Sequence, residues 1–310
     1  MEKYKQLEPL GEGSYGTVWK ALNRETKEVV SVKVIKKKTD SWNECMTLRE
    51  VKSLCKLNHP NIVELKEVIR QNNGQLFFIF EYMEGNLHQT IRNKGSHFTE
   101  AKIRSWCYQL FRALAYMHNS GYFHRDLKPD NLLVTNPVTN EFVKIADFGS
   151  AREILSGSPY SDYVTTRWYR APEVVLQAPC YNAAVDMWAM GAIMAELFTL
   201  QPLFPGTSQI DQIFKICEVL GTPTLTSWSD GVKLAKSMNF FFPAFPSRIV
   251  SLLTPTASLE AIDLILALCS WDPKKRPTAA QALAHPFFQA GLPMLPSNWL
   301  PIKTGYPARY

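Results

Sequence analysis

A chain of 310 residues, 46% hydrophobic and 20% charged, is long enough to bury one large core or two lobes, which excludes disorder as the default. There is no charged N-terminal region leading into an apolar run, and no stretch of about 18 apolar residues, so neither export nor a membrane partner is expected and the cytoplasm is the expected location. A net charge of +6 suits an acidic or polyanionic partner but is too diffuse to argue for nucleic acid.

Six scattered cysteines (Cys45, Cys55, Cys107, Cys180, Cys217, Cys269) form no C-x-x-C pair and have no histidine at metal-ligand spacing, so they read as reduced, mostly buried thiols. Lys36-Lys37-Lys38 reads as a solvated face, with a nuclear-localisation role as the weaker alternative.

From Lys5 to Val34 the runs KQLEPL, GTVWKAL and EVVSVKVI alternate around glycines and a polar turn, which predicts three antiparallel strands. WNECMTLREVKSLCKL then carries Met46, Val51, Leu54 and Leu57 as a helical stripe, predicting one helix joined to the small sheet. IVELKEVI and QLFFIFEYM supply two more strands, and after Glu84-Gly85 the character changes to long helices. The expected fold is therefore α+β and bilobal: a small antiparallel sheet with one helix over residues 1–83, a mainly helical lobe over 84–290, and a proline-punctuated tail over 291–310. In the second lobe, AKIRSWCYQLFRALAYMHNSG places Ile103, Cys107, Leu110, Leu114 and Met117 on one face and stops at Gly121. VDMWAMGAIMAELFTL is apolar nearly all round and belongs in the middle of a core. No internal repeat or low-complexity tract is present.

Three strings carry chemistry. GEGSYGTV is a G-x-G-x-x-G through Gly11, Gly13 and Gly16, weak alone. In a dinucleotide-binding fold such glycines open a helix; here they sit between two alternating runs at a hairpin tip, which favours a flap over a triphosphate. A glycine-rich hairpin without a ligand is the alternative. Lys33, in VSVKV on the third strand, can put a fixed ammonium beneath that flap, and Glu50 on the following helix can hold it by an ion pair. That pairing matches a known phosphoryl-transfer pattern. HRDLKPDN, residues 124–131, is the most specific string: Asp126 supplies a base or orienter for a hydroxyl, Lys128 a cation for a phosphoryl group, and Asn131 a magnesium ligand. Asp147 in ADFG supplies the second metal contact. Phosphoryl transfer needs positioning and charge neutralisation, hence carboxylates for Mg²⁺ and lysines for oxygen. Read singly, Asp126 is a cap, Asp147 a turn former and His124 a core histidine; their occurrence together and in this order outweighs those readings.

SPYSDYVTTRWYRAPE, residues 158–173, crowds three tyrosines and four Ser or Thr hydroxyls against two arginines. As a strand it would hide hydroxyls that each cost about 1–3 kcal/mol when unpartnered. As a loop it would offer phosphate acceptors.

With these strings in hand, the chain resembles the eukaryotic protein kinases from Tyr4 to about Phe288. TRWYRAPE and LFPGTSQIDQIFKICEVLGTP narrow the resemblance to the group of cyclin-dependent and mitogen-activated protein kinases. SWNECMTLREVKSL, FFIFEYME, SDYVTTRWYRAPEV, SMNFFFP and WDPKKRPTAAQALAHPFF resemble the male germ cell-associated and intestinal cell kinase family. The resemblance implies ATP with Mg²⁺, transfer to Ser or Thr of protein substrates, often before Pro, an upstream activating kinase, and a place in the cytoplasm or nucleus with roles in cilium or flagellum length. It also implies site residues. Leu10, Gly11, Glu12, Gly13, Ser14, Tyr15, Gly16 and Val18 cover ATP. Phe80 matches the gatekeeper, Glu81 and Met83 the backbone that reads adenine, Asp186 a brace of the catalytic loop, and Glu173 the partner of Arg276. Thr166 matches the threonine that orients the catalytic aspartate and lysine.

On the same resemblance Ser161-Asp162-Tyr163 falls in an activation loop. A phosphate on Ser161 would be clamped by Arg49, Arg125 and Arg152, and one on Tyr163 by Arg167 and Arg170; the alternative is that Ser161 and Tyr163 are plain exposed polar residues. Departures from the family pattern are Ser161 in place of threonine, Ser150 after DFG, where it bears on Ser-versus-Thr preference, and Ser31 in place of alanine near the adenine roof. TLREVKSL lacks the cyclin-contacting PSTAIRE string, so no cyclin is expected. Ser14 and Tyr15 read either as inhibitory phosphosites or as solvent-facing flap residues. Family members often carry a long C-terminal extension that these 310 residues do not include. A scaffold that keeps the fold without catalysis is the competing class, and the presence of Lys33, Asp126 and Asp147 speaks against it.

Overall fold

Alternation along the first hundred residues produces a sheet with two unlike faces. A computed structural model describes residues 1–13, 16–135, 142–154 and 167–289. Strands β1 (Tyr4–Gly13), β2 (Gly16–Asn23), β3 (Val29–Ile35), β4 (Leu65–Arg70) and β5 (Leu76–Glu81) form one antiparallel sheet in the order β1-β2-β3-β5-β4. Val30 and Val32 bury one face of β3 with Ala21 and Ile79. The intervening Ser31 and Lys33 point the other way, with Lys33 opposite Val18 and Phe78 and Ser31 opposite Phe80.

The helix expected over WNECMTLREVKSLCKL is divided into α1 (Trp42–Thr47) and α2 (Arg49–Leu54). Leu48 between them is extended, with φ −61° and ψ 132°, and packs against the core. The expected stripe shifts accordingly: Cys45 is buried while Met46 is half exposed. Ser41 caps α1 by accepting from the Glu44 N–H at 3.2 Å.

Beyond Glu81 the chain leaves the sheet. β6 (Gly85–Asn86) pairs with β8 (Leu132–Val134), which pairs with β9 (Val143–Ile145), while β7 (Tyr122–Phe123) pairs with β10 (Arg152–Glu153). Asn86 opens α3 (Leu87–Arg92) with a capping box to Gln89. In α4 (Glu100–Asn119) Ile103, Cys107, Leu110, Leu114 and Met117 are fully buried, as their spacing predicts, and Gly121 follows at φ +82°. A short α5 (Pro172–Val175) leads to α6 (Ala184–Thr199), which is buried from Val185 to Phe198 and forms the axis of the second lobe. Around it lie α7 (Gln209–Leu220), α8 (Leu225–Ser237), α9 (Ile249–Leu253), α10 (Leu259–Leu268), α11 (Ala279–Leu283) and α12 (Pro286–Gln289). Four cysteines are buried and Cys55 and Cys180 are exposed; burial pushes the thiols of Cys107, Cys217 and Cys269 up to about 12, so they are inert. Among the described residues no helix is long and apolar enough to cross a membrane.

Candidate active site

A cleft of about 540 Å³ separates the sheet from the helical lobe, a size typical of small-molecule sites. Leu10, Gly11, Glu12, Gly16 and Val18 roof it from β1 and β2, with Ser31 and Lys33 of β3 beside them. Phe80, Glu81 and Met83 form its inner edge; Asp126, Lys128, Asn131 and Asp147 stand opposite. Gly13 pairs with Gly16 to close the hairpin, and Ser14 and Tyr15 lie outside the described residues. A Cβ on Gly16 would collide with the carbonyl oxygen of Val34, so only glycine lets β2 lie this close to β3. At Gly11 no atom lies within 4 Å of where a Cβ would stand, so the roof is open there.

Lys33 is the centre of the charge arrangement. Its Nζ donates to Glu50 Oε1 at 2.8 Å and Oε2 at 2.9 Å, and to Asp147 Oδ1 at 3.1 Å. Burial alone would push the Lys33 ammonium down, but the carboxylates of Glu50 and Asp147 outweigh it and hold its pKa above the usual lysine range. Burial likewise raises Glu50, against the pull of Lys33. It would raise Asp147 too, but there Lys33 wins and the group stays below its ordinary value. The lysine is therefore charged and aimed into the cleft.

The loop of residues 124–131 is built on Asp186, a fully buried carboxylate at the start of α6. Asp186 accepts the backbone N–H groups of His124 and Arg125, each at 2.8 Å, and the His118 ring nitrogen lies 2.9 Å away. Burial would raise Asp186; these hydrogen bonds, His118 first, hold it below the usual range. They also secure Arg125 in a left-handed conformation at φ +76°, an unfavourable geometry for a side chain of this size. Asp126 then faces Lys128, with Nζ to Oδ2 at 3.0 Å. Asn131 Nδ2 donates to the Asp126 carbonyl at 2.8 Å, which leaves the amide oxygen for a cation. Asp147, itself at φ +62°, is tied to this loop through Ala146, whose N–H donates to the Asn131 carbonyl and whose carbonyl meets the His124 ring, both at 2.9 Å.

The residues present fit ATP and Mg²⁺. Two lysines stand over one cleft with two side-chain oxygen donors, Asn131 and Asp147. Among the described residues no group of three or more His, Cys, Asp or Glu could hold a metal by itself. A two-oxygen set of this kind suits Mg²⁺, which completes its shell from phosphates and water.

Of the three clamp residues, Arg49 is exposed at the start of α2 and Arg152 is buried on β10 opposite Phe123, two residues before Arg125. Ser161, Tyr163 and Thr166 lie outside the described residues. Glu173 and Arg276 form a buried two-pronged ion pair at 2.6 and 2.7 Å. Sequence reasoning missed Leu133 and Ala146 on the floor of the cleft and Val63 at its back; the first two flank the recognised motifs closely enough to have been found. It also missed the Glu81–Lys144 ion pair at 2.7 Å and the Tyr169–Glu196 hydrogen bond at 2.7 Å, which have no local signature.

A glycine flap, a lysine fixed by a helical glutamate, and a loop aspartate with two metal-ligand candidates in one cleft define the protein kinases. Residues 4–288 match the family described as the protein kinase domain, and the chain belongs to that family. More narrowly, it is 58% identical over 301 residues to Cyclin-dependent kinase F-3 of Oryza sativa subsp. japonica, covering 97% of this chain and 67% of the relative. It is 54% identical over 298 residues to Serine/threonine-protein kinase MAK of Homo sapiens, covering 96% and 47% respectively. With Serine/threonine-protein kinase ICK of Rattus norvegicus the identity is 55% over 294 residues, covering 95% and 46%. The chain thus spans about half to two thirds of the length of these relatives.

Proposed function

We propose that this chain is an ATP-dependent serine/threonine protein kinase that uses Mg²⁺, prefers acceptors followed by proline, and is switched by phosphorylation of Ser161 and Tyr163. The observation that carries the catalytic part is Lys33 held by both Glu50 and Asp147 across the cleft from Asp126, Lys128 and Asn131. Asp126 accepts the hydrogen bond of the incoming hydroxyl and takes up its proton; Lys128 and Lys33 neutralise phosphate oxygens; Asn131 and Asp147 hold the cation. Mg²⁺, when bound, supplies charge neutralisation of the phosphates. A non-catalytic scaffold has no need of this complete set.

Proline direction and the phosphorylation switch rest on the family resemblance of TRWYRAPE and SDY, as do residence in the cytoplasm or nucleus and work in a cilium or flagellum. Independence from a cyclin is part of the same reading, supported by the absent PSTAIRE string and by a Lys33–Glu50 pair that closes within this single chain. The rice relative is named as cyclin-dependent, so the assay includes a cyclin arm.

The test uses purified protein, Mg²⁺ and radiolabelled ATP with Ser-Pro and Ser-Ala peptides, before and after phosphatase treatment, with and without an added cyclin. Preferential labelling of Ser-Pro that phosphatase lowers, cyclin leaves unchanged and Asp147→Asn abolishes is the expected result. No labelling under any condition while ATP still binds would return the scaffold reading.

A further inference from the structure

The outer face of α2 carries a charge cluster that the chemistry above does not use. Glu50 turns inward to Lys33, whereas Lys52, two residues on and so on the far side of the helix, puts its Nζ 3.0 Å from Glu153 Oε1. Lys56, in the turn after α2, lies 3.6 Å from the same oxygen. That oxygen also accepts from the Tyr122 hydroxyl at 2.9 Å, and the Lys56 ammonium stands 5.7 Å from the centre of the Tyr122 ring. Glu153 of β10 and Tyr122 of β7 are direct partners in their strand pair, and the next residue, Ile154, donates its N–H to the Gly121 carbonyl at 2.8 Å. The carboxylate therefore sits on well-tied backbone. β7 in turn runs directly into His124 and the loop that holds Asp126.

α2 needs such a tie. It is six residues long, the extended Leu48 separates it from α1, and no side chain caps its N-terminus, so its own hydrogen bonds hold it weakly. Val51 and Leu54 bury one side in the core, but apolar packing is not directional. We propose that Glu153 is a positioning residue for phosphoryl transfer: by gathering Lys52 and Lys56 onto the strand pair that leads into Asp126, it holds α2 where Glu50 pairs with Lys33. This rests on the kinase reading above. Hydrogen bonds from Lys52 first and Tyr122 next hold the Glu153 carboxyl below its ordinary range, so it is charged at neutral pH. Its side chain is 38% exposed and those of Lys52 and Lys56 are 48% and 59% exposed, so salt screens the tie. A weak outer tie of this kind changes how often α2 stands in the productive position and is not required for the fold.

The experiment measures kcat, KM for ATP and KM for a Ser-Pro peptide on the whole chain at roughly 0.03 M and 0.5 M ionic strength, a change that shortens the screening length several-fold. Glu153→Gln keeps an oxygen for Tyr122 and removes the charge. At the lower ionic strength its kcat should fall about two- to fivefold with peptide KM and melting temperature nearly unchanged, and at the higher one the gap from the wild type should narrow. Glu153→Lys, which sets three ammonium groups together, should fall further, and combining it with Lys52→Glu and Lys56→Glu should recover most of the loss. A purely structural role gives the opposite split, a lower melting temperature with kcat unmoved. Wild-type kcat in Glu153→Gln, a loss that salt leaves unchanged, or a folded triple reversal that recovers nothing would each overturn the proposal. If the triple reversal does not fold, Glu153→Gln and its salt dependence decide. If the wild type labels no peptide, it is the kinase reading that fails, and the tie is then read from amide exchange: residues 49–56 should exchange faster in Glu153→Gln than in the wild type, and equal rates would remove the positioning role.

Discussion

Lys33 and Arg276 are both buried cations with carboxylate partners, yet their loss has different consequences. Around Lys33 the site can relax, because burial already pushes Glu50 toward protonation and removal of the ammonium lets it go neutral. Lys33→Met should therefore fold with little loss of stability while phosphoryl transfer falls about 100- to 1,000-fold, the usual effect of deleting one electrostatic donor at a reacting centre. Peptide phosphorylation and a thermal scan on the same sample check both halves. Arg276 is different: its guanidinium meets both oxygens of Glu173 and also donates to the carbonyls of Ser270, Trp271 and Ala184. Arg276→Ala leaves a buried carboxylate and several carbonyls bare and should cost about 3–5 kcal/mol. Arg276→Lys keeps the charge but not the planar fork, so its melting temperature should fall between the two.

Elements impose constraints that no single motif carries. α6 crosses α10 at Gly191, where an added Cβ would stand 2.6 Å from Cys269 Sγ and 2.9 Å from Leu268 Cβ. Both contacts belong to a fully packed interface, so Gly191→Ala should destabilise the helical lobe by about 1–3 kcal/mol. Gly95→Ala, where no atom lies within 4 Å of the new Cβ, should change the melting temperature negligibly. Long elements were legible in the sequence for a related reason: period two in β3 and period 3.6 in α4 survive because one face of each must meet a core. The break at Leu48 was not legible, since Cys45, Leu48 and Val51 keep helical spacing across it. β6, β7 and β10 have two residues each, too few for any period. The motif residues were legible because the chemistry demands fixed types at contiguous positions, whereas Tyr169 and Glu196 meet only after α6 has packed.

Among the described residues the two lobes are joined at several places, two of which bear on the edge of the cleft. One junction is the chain itself at residues 82–85; the other is the segment 61–63, which bridges to β9 through Val63 N–H to the Ile145 carbonyl and Ile145 N–H to the Asn61 carbonyl, each 2.9 Å. Asn61 adds bonds from Nδ2 to Gln109 and to the Val143 carbonyl. Lys144 lies between these contacts and reaches back to Glu81 at the end of β5, donating to its two carboxylate oxygens at 2.7 and 2.8 Å. The pair is largely shielded from solvent and ties the second junction to the first. Removing it leaves Glu81 with the Glu64 N–H, so the backbone at the cleft edge is less firmly set. That backbone would hold the nucleotide equally in ground and transition states, and a loss of uniform binding raises KM while sparing kcat. Lys144→Met should thus raise KM for ATP about two- to fivefold with kcat nearly unchanged, and amide exchange at residues 82–85 should quicken. If exchange and KM both stay at wild-type values, the cleft edge is set without the ion pair, which then contributes no more than a screened surface contact.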